Sequence, residues 1–381
     1  MRTSLYRLQH AGWETHSISE LADEDRAHLV LCFAPPAQLR QDGVFDVVRQ
    51  KFPAAAIVFC STAGEIYQES VLDNSFVAVA IQFDNTSIES SSVNVKEYDN
   101  TYNAAMSLAQ KIKTEDLAHV LVFSDGSLVN GSELVKGLSM HMEKNVFVTG
   151  GLAGDGADFK STLVGLNQQP AEGEIVAIGL YGSFINVRHG SQNGWDIFGL
   201  QKRVTKASGN VLIELEEQNA LELYKKYLGE EAKNLPSSAL LFPLSVILPG
   251  ATKPVVRTIL SINEEEKSMT FAGDIPVGSA VRFMKTDMDK LIMAAAQAAA
   301  DTKPDDVEKP DFSLLISCVG RKLVLNERTN EEVEAISKTF DHKTVMAGFY
   351  SYGEIASFNE AGCCYLHNQT ITITSFYENK K

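Results

Sequence analysis

The hydrophobic pattern changes period along the chain, and the changes repeat. An apolar run "HLVLCFA" (28–34) passes through a polar loop to Val44, Val47 and Val48, spaced to share one helical face, and then to "AIVFCSTAGEI" (56–66). The same order returns at "HVLVFSDG" (119–126), where Leu134, Leu138 and Met142 mark a helix before "NVFVTGGLAGD" (145–155). A third copy begins at "FSLLISCVGR" (312–321). There Thr329 and Glu332 form a capping-box pattern, Val333, Ile336 and Phe340 follow on one face, and "TVMAGFYSYGEI" (344–355) closes the unit. Each copy has the length of a strand-helix-strand crossover. Alternating segments follow each one, "SFVAVAIQF" (75–83), "EIVAIGLYG" (174–182) and "CCYLHNQTITITSF" (363–376), and read as hairpin or meander strands.

The pattern therefore predicts an α/β protein. Mixed parallel and antiparallel sheets are covered by helices, in two halves built from repeated strand-helix-strand-hairpin units. A degraded fourth unit is expected from the strands "SALLFPLSVIL" (238–248), "VVRTILSI" (255–262), "SMTFAG" (268–273) and "SAVRFMK" (279–285). The stretch 200–235, with Leu221, Tyr224 and Leu228 on one helical face, reads as the joint between the halves, and "DTKPDDVEKPD" (301–311) as a surface loop.

Charge narrows the function. The 49 acidic against 34 basic side chains leave a net charge of -15, which repels nucleic-acid phosphates and anionic lipid. The longest apolar run, "ALLFPLSVILPG", is too short to span a bilayer and is broken by Pro243, and "MRTSLYRLQHAG" lacks the apolar core of a signal peptide, so a cytoplasmic protein is expected. The five cysteines show no CxxC and no zinc spacing, Cys363 and Cys364 are adjacent, and most read as buried apolar fillers.

In crossover folds the loops leaving the carboxyl ends of strands line the binding crevice. Six such loops stand out, and they carry the candidate ligand-binding residues. The first unit gives "APPAQ" and "STAGE" with Ser61, Thr62, Gly64 and Glu65. The second gives "SDGS" with Ser124, Asp125 and Gly126, and "GGLAGD" with Gly150, Gly151, Gly154 and Asp155. The third gives "SCVGR" with Cys318 and Arg321, and "SYGE" with Tyr350, Ser351, Tyr352, Gly353 and Glu354. The plainer alternative is that the glycines turn the chain and the carboxylates cap helices or turns.

Enzyme motifs are absent. "GGLAGDG" is neither GxGxxG nor a Walker A loop, and in "GFYSYG" the serine is out of register for a nucleophile elbow. Cys318 near Arg321 could be an activated thiolate, but its loop contains no histidine, and an inert cysteine is the simpler reading. His189, in "INVRHGSQNGWDIFG" (185–199), could ligate haem iron with Arg188 at a propionate and Trp195 on the macrocycle face; the alternative is a loop histidine that orders its turn.

Taken in order, "STAGEI", "FSDG", "VTGGLAGDGADF", "HGSQNGWDIFG", "VTKASGNVL", "LELYKKYLG", "VVRTIL", "FAGDIPVGSAVR", "SCVGR", "GFYSYGEI" and "HNQT" resemble the FIST domain family of sensory proteins. The resemblance runs from about residue 28 to the C-terminus and implies an N-terminal FIST domain over 1–217 and a C-terminal one over 218–381. It implies a non-enzymatic, cytoplasmic small-ligand sensor acting on a partner histidine kinase or cyclic-di-GMP enzyme, with no nucleic-acid or membrane partner, and it leaves room for a homo-oligomer. The chain carries no kinase or cyclase module, which favours the stand-alone NosP-like subset, with haem b as cofactor, nitric oxide as signal and His189 as iron ligand. The alternative is an amino-acid or metabolite sensor, in which Arg257, Arg282 or Arg321 holds a carboxylate and Asp155 or Glu354 meets the amine. A hydrolase using Ser351 or Cys318 is the remaining class.

Overall fold

The computed structural model describes residues 1–381 apart from 10, 11, 20, 22, 23, 143–145, 236, 305–308, 358–363, 380 and 381. Within them the three repeats each build the same sheet. Leu29–Ala34 lies between Ala56–Ser61, parallel, and Phe76–Gln82, antiparallel. Leu117–Ser124 lies likewise between Phe147–Leu152 and Glu174–Tyr181, and Phe312–Cys318 between Val345–Ser351 and Ile371–Glu378. The parallel pair in each sheet is the one joined through a helix, as crossover geometry requires.

The strand after each small-residue loop leaves its own sheet. Glu65–Tyr67 pairs with Val345–Ser351 of the third sheet, Val164–Leu166 with Ala56–Ser61 of the first, and Gly353–Ser357 with Phe147–Leu152 of the second. The three sheets thus exchange strands in a ring. The opposite flank is filled in the same manner, by Arg2–Gln9, Ser87–Asn94 and Ile185–Gln192. One core joins all three sheets, centred on Phe33, Phe123 and Phe349, one from each, with ring centroids 5.1 to 6.3 Å apart.

Helices cover the outer faces. Leu134 and Leu138 are buried on helix Gly131–Ser139, as are Val333 and Ile336 on helix Thr329–Thr339. On helix Val44–Lys51 only Val44 and Val48 face inward; Val47 is 42% exposed, because a helix of eight residues resting on a sheet edge buries a narrow stripe. The expected capping box at Thr329 and Glu332 does not form. Glu332 is instead drawn into the core by Arg321, whose guanidinium it meets at 2.6 Å, and Thr329 bonds the carbonyl of Asn326.

A fourth sheet occupies residues 196–285, and it corrects two expectations. It is antiparallel in every pairing, in the order Val255–Arg257, Leu244–Ile247, Ala280–Lys285, Asp196–Ser208, Val211–Leu215, Ser268–Phe271, Ile259–Asn263, so it is no degraded crossover unit. The stretch 200–235 is part of this sheet and of helix Ala220–Leu228, which packs Leu221 and Tyr224 on it. The segment around His189, expected as a loop, is strand: Ile185–Gln192 pairs along its length with Ile371–Glu378. Of the acidic segment 301–311, residues 305–308 lie outside the described residues, as does Cys363.

Candidate functional site

Three of the candidate ligand-binding loops, "STAGE", "GGLAGD" and "SYGE", hold the strand exchange itself. Where the chain crosses between sheets, backbone bonds knit the loops: Ala63 N to Tyr350 O and Tyr350 N to Gly64 O at 2.8 Å, Gly154 N to Ser61 O at 2.9 Å, and Tyr352 N to Leu152 O at 3.1 Å. Gly64 is required here by its φ of 139° and by the Lys322 ammonium, which a Cβ would meet at 2.5 Å. Gly150 has φ 156° and lies against the Val122 carbonyl. Gly151, Gly126 and Gly353 are packed as closely, against Ile316, the Ala153 carbonyl and Leu366.

The polar side chains of these loops are also spent internally. Ser61 Oγ accepts from Leu163 N, and Ser124 donates to the Asp125 carbonyl. Asp125 accepts from the amides of Ser127, Leu128 and Gly173, and Asp155 from those of Phe159, Lys160 and Ser161 as well as the Tyr352 hydroxyl. Thr62 donates to Glu65 and Ser351 to Glu354, one pair being the counterpart of the other. Glu65 also accepts from Ser75 N at 3.0 Å and Glu354 from Thr370 N and Oγ1 at 3.2 and 2.7 Å. Burial outweighs these bonds and pushes both carboxyls up to about 7.

Nor do the candidate nucleophiles stand open. Ser351 is fully buried, and burial, with the Glu354 charge adding to it, drives the Cys318 thiol far up. Arg321 is fully buried and consumed by Glu332 and the carbonyls of Asn193 and Leu291; Tyr350 donates to Glu332 at 2.7 Å.

The structure does not bring the residues put forward for haem together. The His189 Nε2 is 2.7 Å from the Ser357 carbonyl, so it carries the proton, and the ring rests 4.9 Å from Phe147. Burial lowers its pKa and keeps it neutral. Arg188 is exposed, and Trp195 belongs to a different cluster with Leu291 and Leu325, its indole donating to Gln369 O. No group of histidine, cysteine and carboxylate side chains among the described residues is arranged to hold a metal ion.

Open space lies where the second sheet meets the fourth. A cleft of about 430 Å³ is walled by helix Gly131–Ser139 on one side and by Leu248, Arg257 and Pro276 on the other, with Leu366 of the adjoining strand as part of its lining. A second cleft of about 360 Å³ lies beyond the start of the same helix, and Asp274 lines both. Of the sequence-predicted residues only Gly126 and Tyr352 reach the second cleft, and only Arg257 reaches the first. Arg282 is exposed, at a shallower cleft on the fourth sheet.

Arg257 is 2% exposed. Its Nε donates to Asp274 O at 3.2 Å and its Nη1 to Val256 O and Leu366 O at 3.2 and 2.8 Å, while Nη2 has no partner among the described residues. No carboxylate among the described residues lies within ion-pair distance, and burial lowers its pKa to about 10 against the opposing charge of Asp274. A buried guanidinium bonded only to carbonyls is an anion site in waiting, because the nearby Asp274 charge offsets only part of its desolvation. Asp274 has its amide on Ser132 Oγ at 3.1 Å and its carboxylate 3.7 Å from Lys136 Nζ. Within "FAGDIPVG" nothing local in the sequence distinguishes it from a turn aspartate.

The FIST N domain model matches residues 28–218 and the FIST C domain model residues 220–357. An uncharacterized protein of Methanocaldococcus jannaschii is 24% identical over 329 residues, 78% of this chain, and the chain spans 61% of that protein's length. No helix among the described residues is long and apolar enough to cross a membrane. With both domain models together accounting for most of the chain, the protein belongs to the FIST family of sensory, ligand-binding domains.

Proposed function

We propose that this FIST protein senses a small carboxylate, an amino acid or related metabolite, in the cleft walled by Arg257. The observation that carries the reading is the buried guanidinium with an Nη2 unpartnered among the described residues, at the wall of a cleft whose apolar lining includes Val135, Met140, Leu248, Pro276 and Leu366. The ligand carboxylate would take the open face of Arg257 in a charge-assisted pair, and an apolar side chain would lie on the aliphatic wall. Asp274, beside Lys136 and Ser132, is the group placed to meet an ammonium. Because the cleft lies between the second and fourth sheets, a bound ligand touches both and biases their arrangement, which a partner such as a histidine kinase or a cyclic-di-GMP enzyme would read.

Thermal-shift titration with amino acids and short-chain carboxylates tests this. Stabilisation that grows with concentration for a carboxylate, and that Arg257→Met abolishes, is expected. Absence of any concentration-dependent shift across both compound classes counts against it. The haem and nitric-oxide reading has no comparable observation in its support, given the commitment of His189 to Ser357.

A further inference from the structure

Four of the eight buried side-chain polar atoms without partners among the described residues lie along one seam. Asn368 is fully buried, and neither its carboxamide oxygen nor its nitrogen has a partner among the described residues. The Gln369 carboxamide oxygen and the Thr258 hydroxyl are buried and unpartnered too. Thr258 follows the edge strand Val255–Arg257 of the fourth sheet; Asn368 and Gln369 follow the edge strand Cys364–His367 of the second. The two edges face each other without a ladder between them. Arg257 bridges the gap to Leu366 O, and Gln369 Nε2 bonds Leu240 O at 3.3 Å.

Backbone strain falls at the same place. Gln369 has φ 57°, a left-handed conformation that a long side chain adopts at a cost. Unpartnered atoms also occur singly elsewhere, at Thr3, Gln82, His119 and Ser279, whereas Glu354 and Arg321 are as deeply buried and bonded. The closed seam therefore carries unpaired polar atoms, a strained residue and a buried guanidinium with an open Nη2 at once, and the unpaired groups gain hydrogen bonds when the two edges part and water enters.

We infer that the turn His367–Thr370 and the facing edge Val255–Thr258 form a conformational switch, a seam along which the fourth-sheet domain opens from the three-sheet body. It stands apart from the identity of any ligand, since it rests on the atoms of the seam itself. Opening costs the bonds of Arg257 to Leu366, Gln369 to Leu240 and Asp274 to Ser132 and the packing of Val256 and Tyr365; closing buries atoms that find no partner. The turn is tied to the body by Thr370, which donates twice to Glu354, so the hinge line runs between that anchor and Arg257.

Amide hydrogen exchange on the full chain tests this without any ligand. Residues 364–370 and 255–258 are expected to exchange faster than Leu117–Ser124, although both sets are buried. The isosteric variants Asn368→Leu and Thr258→Val, which remove the unpaired atoms, are expected to slow exchange at the seam, roughly tenfold each, and to leave Leu117–Ser124 unchanged. Two variants are used so that one poorly folded protein does not decide the matter. Seam amides protected as strongly as Leu117–Ser124 in the unsubstituted protein, or variants that leave the seam unchanged or speed it, would overturn the inference. Neither outcome depends on the carboxylate titration, so the two proposals fail separately.

Discussion

Glu354 sits fully buried at the point where the third repeat hands its strand to the second sheet, and its carboxyl is raised from 4.5 to about 7 by burial, against the bonds from Ser351 and Thr370 and the more distant charge of Arg321. A carboxyl whose folded pKa lies above its unfolded one favours the fold while protonated. Its contribution is fully present below about 4.5 and is lost as pH rises to about 7, beyond which it is constant. The ionised form is disfavoured in the fold by about 3 kcal/mol, of which about 2.5 kcal/mol is lost between pH 5 and pH 8. Replacing Glu354 by Gln keeps the shape and one acceptor and removes the titration. The variant is expected to match the unsubstituted protein at pH 5 within the small cost of rearranged bonds. At pH 8 it should be more stable by about 2 kcal/mol. Urea denaturation followed by tryptophan fluorescence at half-unit pH steps gives both curves. Parallel curves, with a constant offset from pH 5 to pH 8, would refute the reasoning, because they would show that Glu354 stays ionised in the fold throughout.

Three further outcomes follow from the same structure. Glu332→Gln leaves the buried Arg321 charge without its counter-ion and strips the acceptor of Ser317 and Tyr350, so a loss of roughly 3–5 kcal/mol in denaturation is expected. Gly64→Ala puts a Cβ onto the Lys322 ammonium at a φ of 139°; destabilisation of roughly 1–3 kcal/mol is expected, and Lys322→Ala in the same chain should recover only part of it, since the backbone strain remains. Haemin added to the purified protein is expected to give no Soret band that His189→Ala changes, because the ring rests against Phe147 while Arg188 is exposed and Trp195 packs in another cluster; a His189-dependent band would reopen the iron-ligand reading.

Local pattern was a good guide wherever a residue's environment is set by its neighbours in sequence. The period-two apolar runs and the 3.6-residue spacing of Leu134 and Leu138, or Val333 and Ile336, report burial on one face directly, and three strand-helix-strand units appear where they were read. The repeated "GEI" was legible as one structural position used twice: Glu65 and Glu354 do occupy matching places, each bonded to a hydroxyl three residues earlier. Its meaning was not legible. Both loops knit sheets together, and neither glutamate lines a cleft described here.

The sequence alone determined the class of secondary structure and the repeats, because alternation and helical periodicity act within about ten residues. It could not decide that each repeat gives its next strand to another sheet, since that choice rests on pairing partners some 280 residues apart, as between Glu65 and Phe349. It could not separate Arg257 from Arg321 either. Both are buried, and only the fold supplies Glu332 to one and leaves the other facing a cleft with carbonyls alone, because the free energy of a buried charge is fixed by what the chain brings up to it in space.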